Sequence, residues 1–309
     1  MFFRRLLLTA LLASVGLACD RPRYREVEVS LAPPSPPSPP ADVGTAPRPA
    51  RALRFSVAAV ESPRDTYADY SRLFTRMGQK LGVPIEFVQR RTYREVNDLL
   101  ASGALDAALV CTGGYLDLRR RGEGAVEVLA VPVVQGEMTY RSLVVVEATS
   151  PYRDIADLAG KRFAYTDELS FSGRAWARRL VADRGFDPDQ FFGNTIYTGS
   201  HDRSVAAVVQ GLVDGAAVHG VVFARLLLAD PSLERKVRVI HRSPPFGAMP
   251  VVAAPHLPVQ SRERLRQVLL DLVEEPEGRA ALKAIGIDRF AVPSAGLYDS
   301  AALVVEGRR

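Results

Sequence analysis

The residues best suited to chemistry in this chain are hydroxyls and imidazoles that stand just ahead of helices. Lys161 to Gly185 reads KRFAYTDELSFSGRAWARRLVADRG: an apolar strand, the turn Ser170-Phe171-Ser172-Gly173, then an amphipathic helix. Trp176, Ala177, Leu180 and Val181 recur there at helical spacing and Gly185 supplies the stop. A helix N-terminus offers unpaired main-chain N–H groups at the positive end of the macrodipole, which is the physical basis of an anion site. Ser172 is the expected N-cap. Most serine-rich turns of this kind do no more than cap their helix, so the motif gains weight only from its neighbours.

Those neighbours are few. Cys111-Thr112-Gly113-Gly114-Tyr115 follows a strand and reads either as a bare tight turn or as a cradle of main-chain N–H groups around Thr112. His201 stands in GSHD, where a partly protonated imidazole would suit an anion, and the adjacent Asp202 reads as a helix cap. His219 closes the strand GAAVH, at the end from which strands of open α/β sheets face a cleft. Cys111 reads as a small buried apolar residue rather than a nucleophile. A Ser-His-Asp triad is disfavoured, because no G-x-S-x-G elbow is present and His201 and Asp202 are adjacent. The four histidines are scattered and no C-x-x-C occurs, so neither a metal site nor a cofactor is expected.

The elements that must carry these residues alternate between strand and helix. A strand over 54–60 leads to a helix over 67–81, then a strand over 84–88, a helix over 93–102 and a strand over 107–110. Later come strands over 141–148, 162–166, 194–198, 215–219, 237–240 and 250–254. Helices are expected over 155–159, 173–184, 204–210 and 223–228, with a closing helical region over 261–285. Such alternation predicts an α/β fold of parallel sheets flanked by helices. No repeat is evident, so two lobes must arise from the chain crossing between two units near 138–146 and 243–251. Lobe one is then 52–138 plus 246–309, and lobe two 139–245.

The chain opens with Arg4 and Arg5 before an uncharged apolar run over 6–18, too short to span a bilayer, and reads as a signal peptide over 1–18. Gly16-Leu17-Ala18-Cys19 resembles a bacterial lipoprotein processing site, which makes Cys19 the lipidated N-terminus and places the protein in the periplasm, anchored to the inner membrane. With Cys19 so used, Cys111 has no partner for an intrachain disulfide. Residues 31–50 hold eight prolines, so 19–51 reads as an extended spacer that could reach about 100 Å at about 3.1 Å per residue. The formal net charge of +5 is compatible with an anionic ligand and equally with a solvated surface. No nucleic-acid partner is indicated, and a monomer is expected.

Several motifs together carry a resemblance: KLGVPIEF, Tyr93 ahead of a helix, GALDAALV, Tyr140-x-Ser142 entering a strand, DLAGKRFAYTDELSFSG, GSHD, VVQGLVDGAAV and RSPPFGAMPVV. In this order and spacing they resemble the PhnD-like family, the phosphate, phosphite and phosphonate substrate-binding proteins of ABC transporters. The resemblance spans about 55–282 and implies a two-lobed type II periplasmic binding protein, not an enzyme, that closes on a small oxyanion and serves an inner-membrane permease. It implies ligand contacts from Ser170, Ser172, Gly173, Tyr93, Tyr140 and His201. Phe171 stands where the family has threonine, removing a hydroxyl while keeping its main-chain N–H. No acid accompanies Val218-His219-Gly220-Val221, which disfavours an amine-bearing ligand. A sensory binding protein that reports an anion to a membrane kinase would use the same lobes.

Overall fold

A computed structural model describes residues 51–122 and 126–307. The signal peptide, Cys19 and nearly all of the proline-rich spacer lie outside the described residues.

Thirteen strands in the described residues form two main sheets and one small ribbon. The first sheet uses β1 (Leu53–Val57), β2 (Ile85–Phe87), β3 (Ala107–Leu109), β4 (Glu127–Val133), β12 (Val251–Ala253) and β13 (Arg289–Ala291), in the order β13-β4-β12-β3-β1-β2. The second uses β6 (Ser142–Glu147), β7 (Arg162–Tyr165), β8 (Asn194–Tyr197), β9 (Gly215–His219) and β10 (Val237–Arg242), in the order β10-β6-β9-β7-β8. Between them in sequence, β5 (Thr139–Tyr140) and β11 (Phe246–Gly247) pair antiparallel as a two-stranded ribbon. The sheets are mixed rather than purely parallel. β1 runs parallel to β2 and β3, and β7 to β8 and β9, as helix crossovers require. The strands at each passage between sheets, β4, β6, β10 and β12, run antiparallel to their neighbours.

Burial explains the continuous apolar strands. On β6, Val144 and Val146 join one core cluster with Phe163, Leu180 and Phe192, while Leu143 and Val145 join another with Val205, Val208 and Val218. A strand covered on both faces must be apolar at every position, so SLVVV shows no alternation. The first sheet packs Phe55, Leu109 and Leu129 against Leu73, Met77, Leu265 and Leu282 of its helices.

Helix starts differ from expectation where caps and tertiary contacts decide them. α1 (Pro63–Leu81) opens earlier, at a proline, which suits a first helical turn. α2 (Tyr93–Ala101) opens with a capping box between Thr92 and Glu95. The glycine-rich segment after Cys111 is neither a turn nor an open loop but the first turn of α3 (Thr112–Arg121). A Cβ on Gly113 would lie 2.1 Å from the Leu169 carbonyl oxygen, so only glycine lets α3 approach this closely despite its poor helix propensity. α4 (Trp176–Asp183), α5 (His201–Val209) and α6 (Gly220–Ala229) follow the second sheet's strands, with α5 and α6 starting three residues before expectation. α7 (Val259–Asp271) and α8 (Pro276–Ala284) divide the closing helical region; β4, β13 and α9 (Asp299–Val305) had no expectation.

Candidate anion-binding site

Ser170, not Ser172, caps the helix of the S-F-S-G turn. The Ser170 Oγ accepts from the Gly173 N–H at 2.9 Å, and the chain then makes a π-helical turn, Phe171–Ala175, before α4. The wide turn follows from the main chain: Ala175 N–H reaches back five residues to the Ser170 carbonyl at 3.0 Å. The Gly173 carbonyl meanwhile accepts from Thr166 N–H, and a Cβ on Gly173 would fall 2.4 Å from Thr166 Oγ1. The turn is therefore wrapped against β7, and the cap on Ser170 leaves the buried Ser172 Oγ without a partner.

The Phe171 ring belongs to a core cluster that also holds Tyr93 and Tyr140. It is fully buried, 4.7 Å from the Phe246 ring in edge contact, in an apolar cluster with Trp176 and Ala248. Its side chain thus fills core. Across from the turn stand two buried phenols. Tyr93, at the start of α2, is 1 % exposed and faces Ser170. Tyr140, on β5, is 5 % exposed and faces Thr112 and Ser172. Neither hydroxyl has a hydrogen-bond partner of normal geometry. Burial drives the Tyr93 acidity well out of range and raises that of Tyr140 as well, so both phenols stay protonated and can donate. The Thr112 Oγ1 is already committed, donating to the Gly247 carbonyl at 2.9 Å. Cys111 is buried with its thiol pKa raised by that burial, as fits a packing residue.

Two imidazoles complete the arrangement. His201 Nδ1 accepts from the main-chain N–H of His219 at 3.1 Å, and an N–H can only donate, so the His201 proton resides on Nε2. Thr166 Oγ1 lies 2.9 Å from the same Nδ1. His219 repeats the device: its Nδ1 accepts from Val221 N–H at 3.2 Å as the cap of α6. Both Nε2 atoms are buried without a partner. Burial holds His201 well below the ordinary imidazole pKa and His219 at about 3, so both rings are neutral. The expected partly protonated His201 is corrected: a proton on Nδ1 would collide with the N–H that Nδ1 accepts. The His219 ring stacks on Tyr140 at 4.0 Å between centroids and lies 5.7 Å from the His201 ring.

Five polar atoms, Tyr93 Oη, Tyr140 Oη, Ser172 Oγ, His201 Nε2 and His219 Nε2, are thus buried, able to donate and unpaired. They come from the starts of α2, α5 and α6, from the π-helical turn and from the ribbon strand β5. The sequence reading brought all five into its candidate set. It missed Ser200, whose buried Oγ at the cap position of α5 is also unpartnered, and it gave the cap there to Asp202, whose side chain makes no cap bond. It also missed Asp167, buried, which accepts from the Tyr93 N–H at 3.2 Å and the Leu169 N–H at 2.8 Å and so ties α2 to the turn. Burial raises the Asp167 pKa.

The comparisons with known proteins agree with this architecture. A binding protein component of an ABC phosphonate transporter from Pseudomonas aeruginosa superposes with a TM-score of 0.76 at 20% identity, over 82% of this chain and 85% of that one. PhnD1 from Prochlorococcus marinus, solved in complex with methylphosphonate, gives 0.75 at 17% identity, over 83% and 97%. These neighbours define the fold as a two-lobed type II periplasmic binding protein. The sequence profile of the periplasmic substrate-binding proteins of phosphonate ABC transporters matches residues 55–298, and the chain belongs to that family. It is similar to the phosphonates-binding periplasmic protein of Escherichia coli, 23% identical over 248 residues, which is 79% of this chain and 73% of that protein. The family comprises periplasmic transport components rather than enzymes.

Proposed function

We propose that this protein binds a small tetrahedral oxyanion, a phosphonate, phosphite or phosphate, and presents it to an inner-membrane ABC permease from a lipid anchor on Cys19. The observation that carries the reading is the set of five buried, unpaired donors on Tyr93, Tyr140, Ser172, His201 and His219. Each left dry and unsatisfied costs on the order of 1–3 kcal/mol, so their gathering has a physical reason only if a guest accepts from them. Helix N-termini at Tyr93, Ser170, His201 and His219 favour a negative guest.

In this reading 52–138 with 246–309 and 139–245 are two lobes, and the β5–β11 ribbon lies between them as the hinge. Closure is supported by three contacts between the segments: His201 N–H to the Val60 carbonyl at 3.0 Å, Tyr93 N–H to Asp167, and Arg225 to Glu61 and Asp69. Ligand binding shifts the population toward this arrangement. Calorimetric titration with phosphate, phosphite, methylphosphonate and 2-aminoethylphosphonate tests the reading. At least one should bind with a one-to-one stoichiometry, and silence for all four overturns the oxyanion assignment.

A further inference from the structure

We infer that Arg91 and Arg203 form a capture point for oxyanions beside the buried site, supplying during entry the positive charge that its five unpaired donors lack. The inference rests on the oxyanion reading and adds to it how the guest arrives.

A cavity of about 690 Å³ adjoins the candidate site. Its walls include Thr166, whose Oγ1 lies 2.9 Å from His201 Nδ1, and Asp167, which accepts from the Tyr93 N–H. It therefore lies next to residues that carry two of the unpaired donors, Tyr93 and His201. Arg91 lines it from just ahead of α2 and Arg203 from α5, and both side chains are exposed. In the two-lobe reading they belong to opposite lobes.

Local structure gives neither arginine a reason to be there. Arg91 directly precedes Thr92, the cap of α2, and Arg203 lies in the first turn of α5, where a cation opposes the positive end of the macrodipole. Glu95 serves the α2 start, accepting from the main-chain N–H groups of Arg91 at 3.2 Å and Thr92 at 2.9 Å, and Asp202 is the acid of the first turn of α5. The acids that line the cavity are engaged elsewhere. Glu168 pairs with Arg94 at 3.5 Å, and Asp167 holds the N–H groups of Tyr93 and Leu169. Among the described residues, neither the Arg91 nor the Arg203 guanidinium has a carboxylate partner. Two unpaired cations that their own helices disfavour thus line one cavity at the edge of an anion site, and a broken local rule of this kind is expected where function requires it. At about 8 Å in water each guanidinium attracts a dianion enough to raise its local concentration about fourfold at low ionic strength.

Stopped-flow mixing with phosphate, phosphite, methylphosphonate and 2-aminoethylphosphonate tests this, with Trp176, the only tryptophan, as the fluorescent reporter next to the π-helical turn. Calorimetric Kd values at the same salt concentrations give a readout that does not depend on fluorescence. The double variant Arg91→Gln/Arg203→Gln should slow association about tenfold at about 0.01 M salt and less than about twofold at about 1 M, where the screening length is about 3 Å. Dissociation should change less than about threefold, as for rim charges, so most of the low-salt loss also appears in Kd. The melting temperature should not fall, because both side chains are exposed and Arg203→Gln relieves the α5 dipole. Arg235→Gln, at an exposed position after α6 that does not line this cavity, lowers the net charge by one and should change association less than about twofold. If the double variant matches the wild type, loses as much at high salt as at low, or is equalled by Arg235→Gln, the capture inference is overturned and the oxyanion reading stands. If none of the four anions binds the wild type, both fall.

Discussion

Ser170 and Ser172, two residues apart, should respond to alanine in opposite ways. Ser170 Oγ accepts from Gly173 N–H and so supports the turn, whereas Ser172 Oγ is buried with no partner in the protein. Ser172→Ala removes one hydroxyl donor to a charged guest, about 1.5–3 kcal/mol, which is roughly 10- to 150-fold in Kd. It removes no bond of the unliganded protein, so the melting temperature should not fall. Ser170→Ala removes a helix cap, about 1 kcal/mol, and should lower the melting temperature by roughly 2–4 °C in a protein of this size. Calorimetric titration and scanning calorimetry on both variants read the two axes. If Ser172→Ala lowers the melting temperature as much as Ser170→Ala and leaves affinity intact, Ser172 is a structural residue and the donor count at the site is wrong.

Gly173→Ala drives a Cβ to 2.4 Å from Thr166 Oγ1 and 2.7 Å from Ser170 Oγ, and should cost about 1–3 kcal/mol in a thermal melt together with most of the ligand affinity. His219, held at about 3 by burial against an ordinary 6.5, is neutral when folded, so the unfolded chain binds the extra proton. Its stabilising share is complete above about pH 6.5 and is lost as pH falls toward 3, at up to about 1.4 kcal/mol per unit. His201 acts in the same direction, and His219→Gln should shallow the acid slope of urea-melt stability by about one proton. Arg225→Met removes the clamp on Glu61 and Asp69 and should weaken binding about fivefold by disfavouring closure, with a larger radius of gyration by X-ray scattering; unchanged scattering and affinity would remove Arg225 from the closing contacts.

The strand-helix alternation was legible because apolar runs such as SLVVV mark strands buried on both faces. Helix starts were less so, since serines at 170 and 172 are equal by propensity and only the π-helical hydrogen bonds decide which one caps. The same limit hid α3. Gly113-Gly114 argues against helix locally, and the reason for glycine lies 56 residues away at the Leu169 carbonyl. His201 and His219 could be picked out as candidates, but their protonation could not. Burial makes both rings neutral, and the N–H groups of His219 and Val221 fix the tautomer, neither of which sequence places.

The neutrality of the two histidines determines how such a site can discriminate. None of the five unpaired donors belongs to a lysine or arginine, so in the proposed site they would meet the guest's charge as dipoles and hydrogen-bond donors. Every donor then left unpaired by a guest costs about 1–3 kcal/mol. A carboxylate offers two oxygens in one plane, whereas the donors arrive from α2, the Ser172 turn, β5, α5 and α6. A planar guest facing Ser172 and Tyr93 leaves at least one imidazole dry, a penalty of roughly tenfold or more in affinity. A tetrahedral head with three oxygens has acceptors directed to all sides. In the proposed site, selectivity would rest on shape rather than charge: protonating either ring would add the missing cation, and burial, with a main-chain N–H on each Nδ1, keeps both rings neutral at neutral pH.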